Sequence, residues 1–190
     1  MQDLLIIGGG INGVGIARDA AGRGLKVTLV EKGDLASQTS SWSTKLIHGG
    51  IRYLENYEFR LVRESLKERE VIKSIAPQIT KPIRFVMPHV SNLRPSWMIR
   101  IGLFLYDKLG GMITLPKSKY VNLTRDYVDN PIKEEFRKGY EYSDLQVDDS
   151  RLVLLNAQDA INRGAKIITN NSDVDTKRNN NFWEIKISDN

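Results

Sequence analysis

The first glycines of the sequence have the spacing of a phosphate-binding turn. Residues 8–13 read GGGING, so Gly8, Gly10 and Gly13 satisfy the G-x-G-x-x-G pattern, with Asn12 inside it. The first glycine permits a tight turn, the second lets backbone approach a pyrophosphate, and the third lets the next helix pack closely. Free N–H groups at the start of that helix attract phosphate charge. These four residues are therefore predicted to bind a dinucleotide.

Glu31 closes the strand that follows, at the spacing where a carboxylate accepts hydrogen bonds from both hydroxyls of an adenosine ribose. The same carboxylate repels a 2′-phosphate, which argues against an NADP-type ligand. The alternative is a glycine-rich turn with an incidental acidic residue. NAD and FAD both suit this unit, and the residues after Glu31 must separate them.

Residues 39–55 (TSSWSTKLIHGGIRYLE) are rich in groups that can do chemistry. Two glycines, Gly49 and Gly50, leave room for a flat isoalloxazine ring. Four hydroxyl residues offer hydrogen bonds to a pyrophosphate or a flavin edge: Ser40, Ser41, Ser43 and Thr44.

Three further side chains of this segment are candidates for substrate contact. His48 can orient a substrate or exchange a proton near neutral pH, unless it is merely structural. Arg52 carries a guanidinium fork suited to a phosphate, with an ordinary salt bridge as the alternative. Tyr53 is a neutral donor beside it, although tyrosines next to loops commonly just pack.

The elements that position these groups follow from hydrophobic periodicity. Residues 3–8 and 26–31 are predicted strands joined by a helix over 11–23, which is the unit expected of a parallel sheet. Residues 33–50 are predicted as a loop with a short helical piece. The remaining predictions are helices at 58–77, 95–111 and 151–163 and strands at 83–87, 165–169 and 181–188, with a turn at 179–181.

Composition narrows the class of protein. With 28 Lys+Arg against 23 Asp+Glu the formal charge is +5, which favours anionic partners without choosing among them. Nucleic acid is not expected, because basic residues of the 58–77 helix are interleaved with Glu. The chain has no cysteine, and no metal site is expected from its two separated histidines. An apolar run follows the first residues at once, so a cytoplasmic protein is expected.

Several long segments carry a resemblance to one family. Residues 39–55 are similar to the segment of FAD-dependent, membrane-associated glycerol-3-phosphate dehydrogenases in which a Ser/Thr-rich loop leads into a His-Gly-Gly-(Leu or Ile)-Arg-Tyr-Leu run. Trp42 and Thr44 depart from the residues usual there. The similarity continues through residues 57–70 (YEFRLVRESLKERE), 94–107 (RPSWMIRIGLFLYD), 139–144 (GYEYSD) and 147–157 (VDDSRLVLLNA).

The resemblance implies an α/β fold, with a Rossmann-like FAD-binding domain of the glutathione-reductase type interrupted by part of a substrate or cap region. The predicted parts are an FAD-binding core (1–80), a partial substrate or cap region (81–147) and a return to the FAD-binding domain (148–190). The strand at 181–188 ends the chain without a capping element. Its partner strands are therefore expected in absent sequence, and the chain is expected to be truncated.

The resemblance also implies an activity and its partners. The reaction is oxidation of sn-glycerol 3-phosphate to dihydroxyacetone phosphate, with FAD as cofactor and ubiquinone as electron acceptor. FAD contacts are implied for the serine loop and for His48, Gly49 and Gly50, and substrate contacts for His48, Arg52 and Tyr53. A peripheral position on the cytoplasmic membrane and a homodimer in the full-length family are implied as well.

Three questions stay open from the sequence. The apolar helix at 95–111, edged by Arg94, Arg100 and Lys108, fits burial between domains or contact with a membrane interface. The pair Asp148 and Asp149 fits helix capping or a salt bridge better than a metal site. The chain itself fits a catalytically inactive FAD-binding fragment, or an FAD oxidoreductase of the amino-acid oxidase type, as alternatives to a dehydrogenase.

Overall fold

The computed structural model describes residues 1–90, 94–126, 132–133 and 135–188. Its contacts divide the chain into unit 1, Met1–Lys45 with Asp148–Asn190, and unit 2, Leu46–Val147. Unit 2 is therefore inserted into the sequence of unit 1. The predicted division into an FAD-binding core (1–80), a substrate or cap region (81–147) and a return to the FAD-binding domain (148–190) stays a prediction.

The described residues form nine strands and four α-helices. In chain order they are β1 (Leu4–Ile7), α1 (Ile11–Gly22), β2 (Val27–Val30), β3 (Leu46–Ile47), α2 (Phe59–Ile75), β4 (Thr80–Pro88), α3 (Ser96–Leu109), β5 (Lys119–Asn122), β6 (Lys138–Val147), α4 (Asp149–Asn162), β7 (Lys166–Ile168), β8 (Val174–Asn179) and β9 (Phe182–Ile187). Short 3₁₀ helices lie at Thr39–Ser41, Ile51–Asn56 and Pro77–Ile79.

Unit 1 is built on a parallel sheet with the strand order β1-β2-β7. All four residues of β2 are buried, as expected for a strand with a neighbour on each side. Small residues let α1 and α4 pack closely in its core, among them Ala17 and Ala157. The predicted strand–helix–strand unit and the α/β class are confirmed.

A hairpin of β8 and β9 completes the described part of unit 1. The sequence predicted β9 but not β8, because Val174–Asn179 is polar and mostly exposed. The expectation that every partner of β9 lies in absent sequence was therefore wrong. Asn180 lies in the predicted turn with a positive φ of 27°, a conformation that asparagine tolerates better than most residues.

Unit 2 is built around β6, the longest strand, which pairs antiparallel with β3, β4 and β5. Neither β5 nor β6 was predicted, because their polar and aromatic residues do not form an apolar run. Strand β4 contains Pro82 and Pro88 and pairs only with β6 among the described strands. An edge strand tolerates proline because its outer N–H groups have no partner to lose.

Helices α2 and α3 supply the core of unit 2 through Val62, Leu66 and Tyr106. The opposite face of α3 is apolar and 42–61% exposed, at Trp97, Met98, Ile101 and Phe104. Within unit 2, α3 therefore has one face in the core and one apolar face exposed. Among the described residues, every helix is too short or too polar to cross a bilayer.

Candidate functional site

The glycine turn of unit 1 has the geometry that the fingerprint predicts. Gly8 adopts a φ of +114°, which side chains rarely allow. A Cβ at Gly13 would lie 1.9 Å from the carbonyl oxygen of Gly8, so helix α1 packs against the turn only because this residue is glycine. A Cβ at Gly10 would meet the hydroxyl of Ser40 at 3.0 Å. Asn12 is exposed in the first turn of α1.

Ser40 lies at the N-terminus of α1. The Ile11 N–H donates to its Oγ at 2.9 Å, and the N-cap residue itself, Gly10, provides no side-chain cap. A helix N-terminus favours negative charge, and the hydroxyl lies where a pyrophosphate would approach it. The structure thus brings the first predicted serine to the glycine turn.

Glu31 holds the turn together from below. Its carboxylate accepts from the Gly9 N–H at 2.6 Å and from the Gly33 N–H at 2.9 Å. These two backbone hydrogen bonds, of which the one from Gly9 has the larger effect, lower the pKa of Glu31 despite its burial. The Glu31 side chain is therefore ionised at neutral pH. Each carboxylate oxygen can accept more than one hydrogen bond, so ribose contact is still available to it.

The rest of the serine loop is held by Asp149 at the start of α4. Ser43 Oγ donates to Asp149 at 2.8 Å and Lys45 Nζ lies 2.7 Å from the same carboxylate. Burial raises the pKa of Asp149, but bonds from Lys45, Ser43 and the Ser150 N–H outweigh it and lower the pKa overall. The neighbouring Asp148 accepts from the Arg151 N–H as the N-cap. The predicted capping and salt-bridge roles of this pair are confirmed.

The other loop residues lie at the surface. Ser41 donates to the carbonyl of Gln38, and Thr44 is exposed. Trp42, the unusual residue of the loop, is 85% exposed, so its large ring does not alter the packing of the loop.

In unit 2 the two predicted flavin-facing glycines are buried, and their missing side chains leave space that the chain itself fills. A Cβ at Gly49 would lie 2.2 Å from Leu66 and 2.7 Å from Tyr106. Gly50 has a φ of +68°, and a Cβ there would meet the ring of Tyr53 at 2.4 Å. The predicted room for a flavin ring is therefore taken up by side chains, and any flavin contact at these positions would have to come from backbone.

The three predicted catalytic residues all lie at the surface of unit 2. His48 precedes the glycines, and Arg52 and Tyr53 lie in the 3₁₀ helix Ile51–Asn56. Burial and Asp144 raise the pKa of Tyr142, and the charge of Arg52 partly opposes this. His48 also lines a shallow, open cleft of about 530 Å³ together with Glu64 and Glu68. An anionic substrate would not favour that acidic side of His48.

The buried polar groups of unit 2 meet beneath the glycines. The Gly49 N–H donates to the Tyr106 hydroxyl at 2.8 Å, and that hydroxyl donates to Asp144 Oδ1 at 2.6 Å. Arg69 lies 2.9 Å from the same carboxylate oxygen and is 1% exposed. Four residues from four segments thus form one buried network.

Comparison with known proteins identifies the family. The profile described as FAD dependent oxidoreductase matches residues 3–188. The chain belongs to the FAD-dependent oxidoreductase family. The FAD expected from the sequence is therefore the cofactor of its family, and the predicted fold class is confirmed.

Relatives within the family agree with the resemblance found from the motifs. The chain is 58% identical to D-erythritol 1-phosphate dehydrogenase of Brucella abortus, over 97% of this chain and 37% of that protein. It is 57% identical to glycerol-3-phosphate dehydrogenase of Pseudomonas aeruginosa, over 98% of this chain and 36% of that protein. The chain thus spans a little over a third of the length of these relatives.

A solved structure of an FAD complex also resembles this chain in fold and sequence. The glycerol-3-phosphate dehydrogenase of Bacillus halodurans, complexed with FAD, matches 93% of this chain and 27% of its own with a TM-score of 0.65 and 31% identity.

Sequence reasoning missed the buried network of unit 2. Its charged and phenolic members lie in segments that carry the resemblance, but no role was predicted for them. One signal was available: Arg69 continues the buried stripe of Val62 and Leu66 along α2. A charged residue on an apolar stripe requires a buried partner, because an unpaired buried charge is strongly unfavourable.

Proposed function

We propose that this chain supplies the FAD-binding and substrate-contacting N-terminal part of an enzyme that oxidises sn-glycerol 3-phosphate to dihydroxyacetone phosphate. The observation that carries the proposal is the 57% identity to a glycerol-3-phosphate dehydrogenase over 98% of the chain. FAD, when bound, supplies the acceptor for the hydride that leaves C2 of the substrate. The residues of the chain bind FAD and substrate, orient the two, and accept the proton of the substrate hydroxyl.

The glycine turn of unit 1 fits the pyrophosphate of FAD. Gly8 and Gly13 allow the tight turn, Gly10 leaves no side chain between the backbone and Ser40, and the N-terminus of α1 faces the phosphate position. Glu31 is ionised and keeps acceptor capacity for the ribose hydroxyls. Ser40 stands beside the phosphate position, while Ser43 acts through Asp149 by holding the loop.

The surface segment of unit 2 provides groups for the substrate. Arg52 is exposed and presents a guanidinium to the substrate phosphate. His48 accepts the proton of the C2 hydroxyl, or orients that hydroxyl, from its exposed position before the glycines. Tyr53 packs over Gly50 and is 43% exposed, which leaves its hydroxyl able to donate to the substrate.

Electron transfer to ubiquinone at the cytoplasmic membrane surface is the proposed second half of the reaction. The exposed apolar face of α3, with Arg100 and Lys108 on the same helix, is the proposed contact with lipid headgroups. Flotation with vesicles of anionic and of neutral lipid tests this: loss of binding in Trp97→Ser with Phe104→Ser supports the contact, and unchanged binding contradicts it.

A second candidate substrate is D-erythritol 1-phosphate. It is favoured by the 58% identity to a dehydrogenase of that name, and it shares the phosphate and an adjacent secondary alcohol with the first substrate. The ratio of kcat/KM for the two substrates decides between them.

The visible absorption spectrum of the purified chain is the first experiment, followed by glycerol 3-phosphate with a dye acceptor. Flavin bands that bleach on addition of substrate support the proposal in full. Flavin bands without bleaching support cofactor binding and favour an inactive FAD-binding fragment. Folded protein that takes up no FAD contradicts the proposal.

A further inference from the structure

The backbone of Gly49 is held by side chains that lie far away in the sequence. Its N–H donates to the hydroxyl of Tyr106 on α3 at 2.8 Å and, more weakly, to Asp144 of β6 at 3.4 Å. On its other side, Leu66 of α2 fills the space where a side chain would be. Gly49 is therefore fixed by two helices and a strand.

The direction of each hydrogen bond follows from the chemistry of the groups. Burial, and then the charge of Asp144, raise the pKa of Tyr106, so this phenol keeps its proton at all ordinary pH values. Its one hydrogen goes to Asp144 at 2.6 Å, and its oxygen is left to accept from Gly49. The tyrosine is therefore a neutral relay from an amide to a carboxylate.

Arg69 supplies the positive charge that compensates the buried carboxylate of Asp144. Its guanidinium donates to Asp144 at 2.9 Å and to the Ser143 carbonyl at 3.1 Å. The Cζ atom of the same group lies 5.7 Å from the centre of the Tyr106 ring. The Nε of Arg69 is buried without a hydrogen-bond partner among the described residues. The guanidinium thus leaves one polar atom unsatisfied, while its charge neutralises the Asp144 carboxylate.

We propose that Tyr106, Asp144 and Arg69 are positioning residues that fix the Gly49 amide and, through it, the segment that contacts flavin and substrate. His48 precedes Gly49 directly, and Gly50 begins the 3₁₀ helix that carries Arg52. Displacement of reacting groups by about 1 Å costs on the order of 100-fold in rate, so the position of this amide matters for catalysis as well as for folding. The inference rests on the proposed function, because it takes this segment to be the contacting one.

The test compares two phenylalanine substitutions in unit 2. Tyr106→Phe removes the relay hydroxyl but keeps the ring and its volume. Tyr140→Phe is the matched control: Tyr140 is as buried as Tyr106, lies on β6 like Asp144, and its hydroxyl bonds to Ser96 on α3. Both variants are measured by thermal unfolding, by hydrogen exchange of the Gly49 amide, and by FAD titration with the visible flavin spectrum.

The expected result separates the two tyrosines. Tyr106→Phe accelerates exchange at Gly49 and weakens FAD binding by about tenfold with a changed flavin spectrum, since one hydrogen bond is lost. Tyr140→Phe alters neither quantity, even where it lowers the unfolding temperature. Where turnover is measurable, Tyr106→Phe lowers kcat with little change in KM.

Other outcomes overturn the inference in distinguishable ways. Unchanged exchange at Gly49 in Tyr106→Phe shows that the relay does not hold the amide. Faster exchange with unchanged FAD affinity and spectrum shows a purely structural network, while the proposed function stands. A wild-type chain that binds no FAD overturns the proposed function and the inference together.

Discussion

Each unit of the chain uses a buried carboxylate to order a glycine-bearing turn, but the two do so differently. Glu31 accepts directly from the backbone of Gly9 and Gly33. Asp144 reaches Gly49 mainly through the hydroxyl of Tyr106 and lies against the guanidinium of Arg69. The first anchor is a carboxylate satisfied by amide dipoles, and the second is a carboxylate compensated by a full positive charge.

This difference determines which changes should destabilise each unit. An anchor made of backbone amides weakens when the carboxylate loses its charge, but it leaves no opposite charge buried. A buried ion pair that loses one member leaves the other uncompensated, which costs more than the pair itself contributes. Unit 2 should therefore be sensitive to removal of either partner, and unit 1 should be sensitive to acid.

The largest effect is expected from Asp144→Asn. Arg69, which is 1% exposed, would lose its charged partner at 2.9 Å and keep the longer contact to Glu70 at 3.5 Å, so the free energy of unfolding should fall by about 3–5 kcal/mol. Urea denaturation measures the loss. The double variant Arg69→Met with Asp144→Leu removes both charges and should recover most of it. A cost below about 1 kcal/mol for Asp144→Asn would show that the charge of Asp144 is not needed.

Gly13→Ala should have the next largest effect, and it tests unit 1 without touching a charge. The new methyl group would lie 1.9 Å from the Gly8 carbonyl oxygen, so the helix must move, at about 1–3 kcal/mol, and FAD affinity should fall with it. Calorimetry and FAD titration measure the two losses.

Gly15→Ala is the matched control in the same helix. A Cβ there meets nothing within 4 Å, so alanine should stabilise the helix by roughly 0.5–1 kcal/mol and leave FAD affinity unchanged. Equal effects of the two substitutions would mean that close packing at Gly13 is not what the fingerprint requires.

Glu31→Gln should cost about 1–2 kcal/mol near neutral pH, because one of the two backbone N–H groups keeps only a neutral acceptor and the other faces the amide NH2, which cannot accept. The pKa of Glu31 is lowered from its ordinary value of 4.5, so its stabilising contribution is complete above that value. It is lost as the pH falls through the lower pKa of the folded protein. The stability difference between wild type and variant should therefore shrink in acid, and urea titrations at a series of pH values would reveal a constant difference if the anchor is not ionic.

The same contrast explains what the sequence could and could not predict. Glu31 and its glycines lie within one strand–helix–strand unit, where short-range spacing fixes the geometry. The contact between Gly49 and Asp144 spans 95 residues, and no local pattern encodes it. Strand β6, which carries Asp144, was missed because its polar and charged residues leave no continuous apolar run.

The sequence also predicted where side chains are absent better than it predicted what fills the space that they leave. The sequence located Gly49 and Gly50 correctly as positions where a side chain is excluded. It assigned the freed space to a flavin ring, whereas Leu66, Tyr106 and Tyr53 take it up. A motif can show that space is needed, but which atoms fill the space depends on packing between distant segments.

The smallest effect is expected from Lys45→Met, which sharpens the comparison by testing a carboxylate that has both kinds of partner. Asp149 is bonded to Ser43, to the Ser150 N–H and to Lys45, whose side chain is 49% exposed. Water already screens this cation, so its loss should cost roughly 0.5 kcal/mol, and the cost should diminish in high salt. Ser43→Ala, which removes an uncharged donor to the same carboxylate, is the comparison variant, and its cost should not depend on salt. A salt-independent loss of unfolding free energy above about 2 kcal/mol for Lys45→Met would show that Asp149, like Asp144, is a carboxylate that depends on its cation.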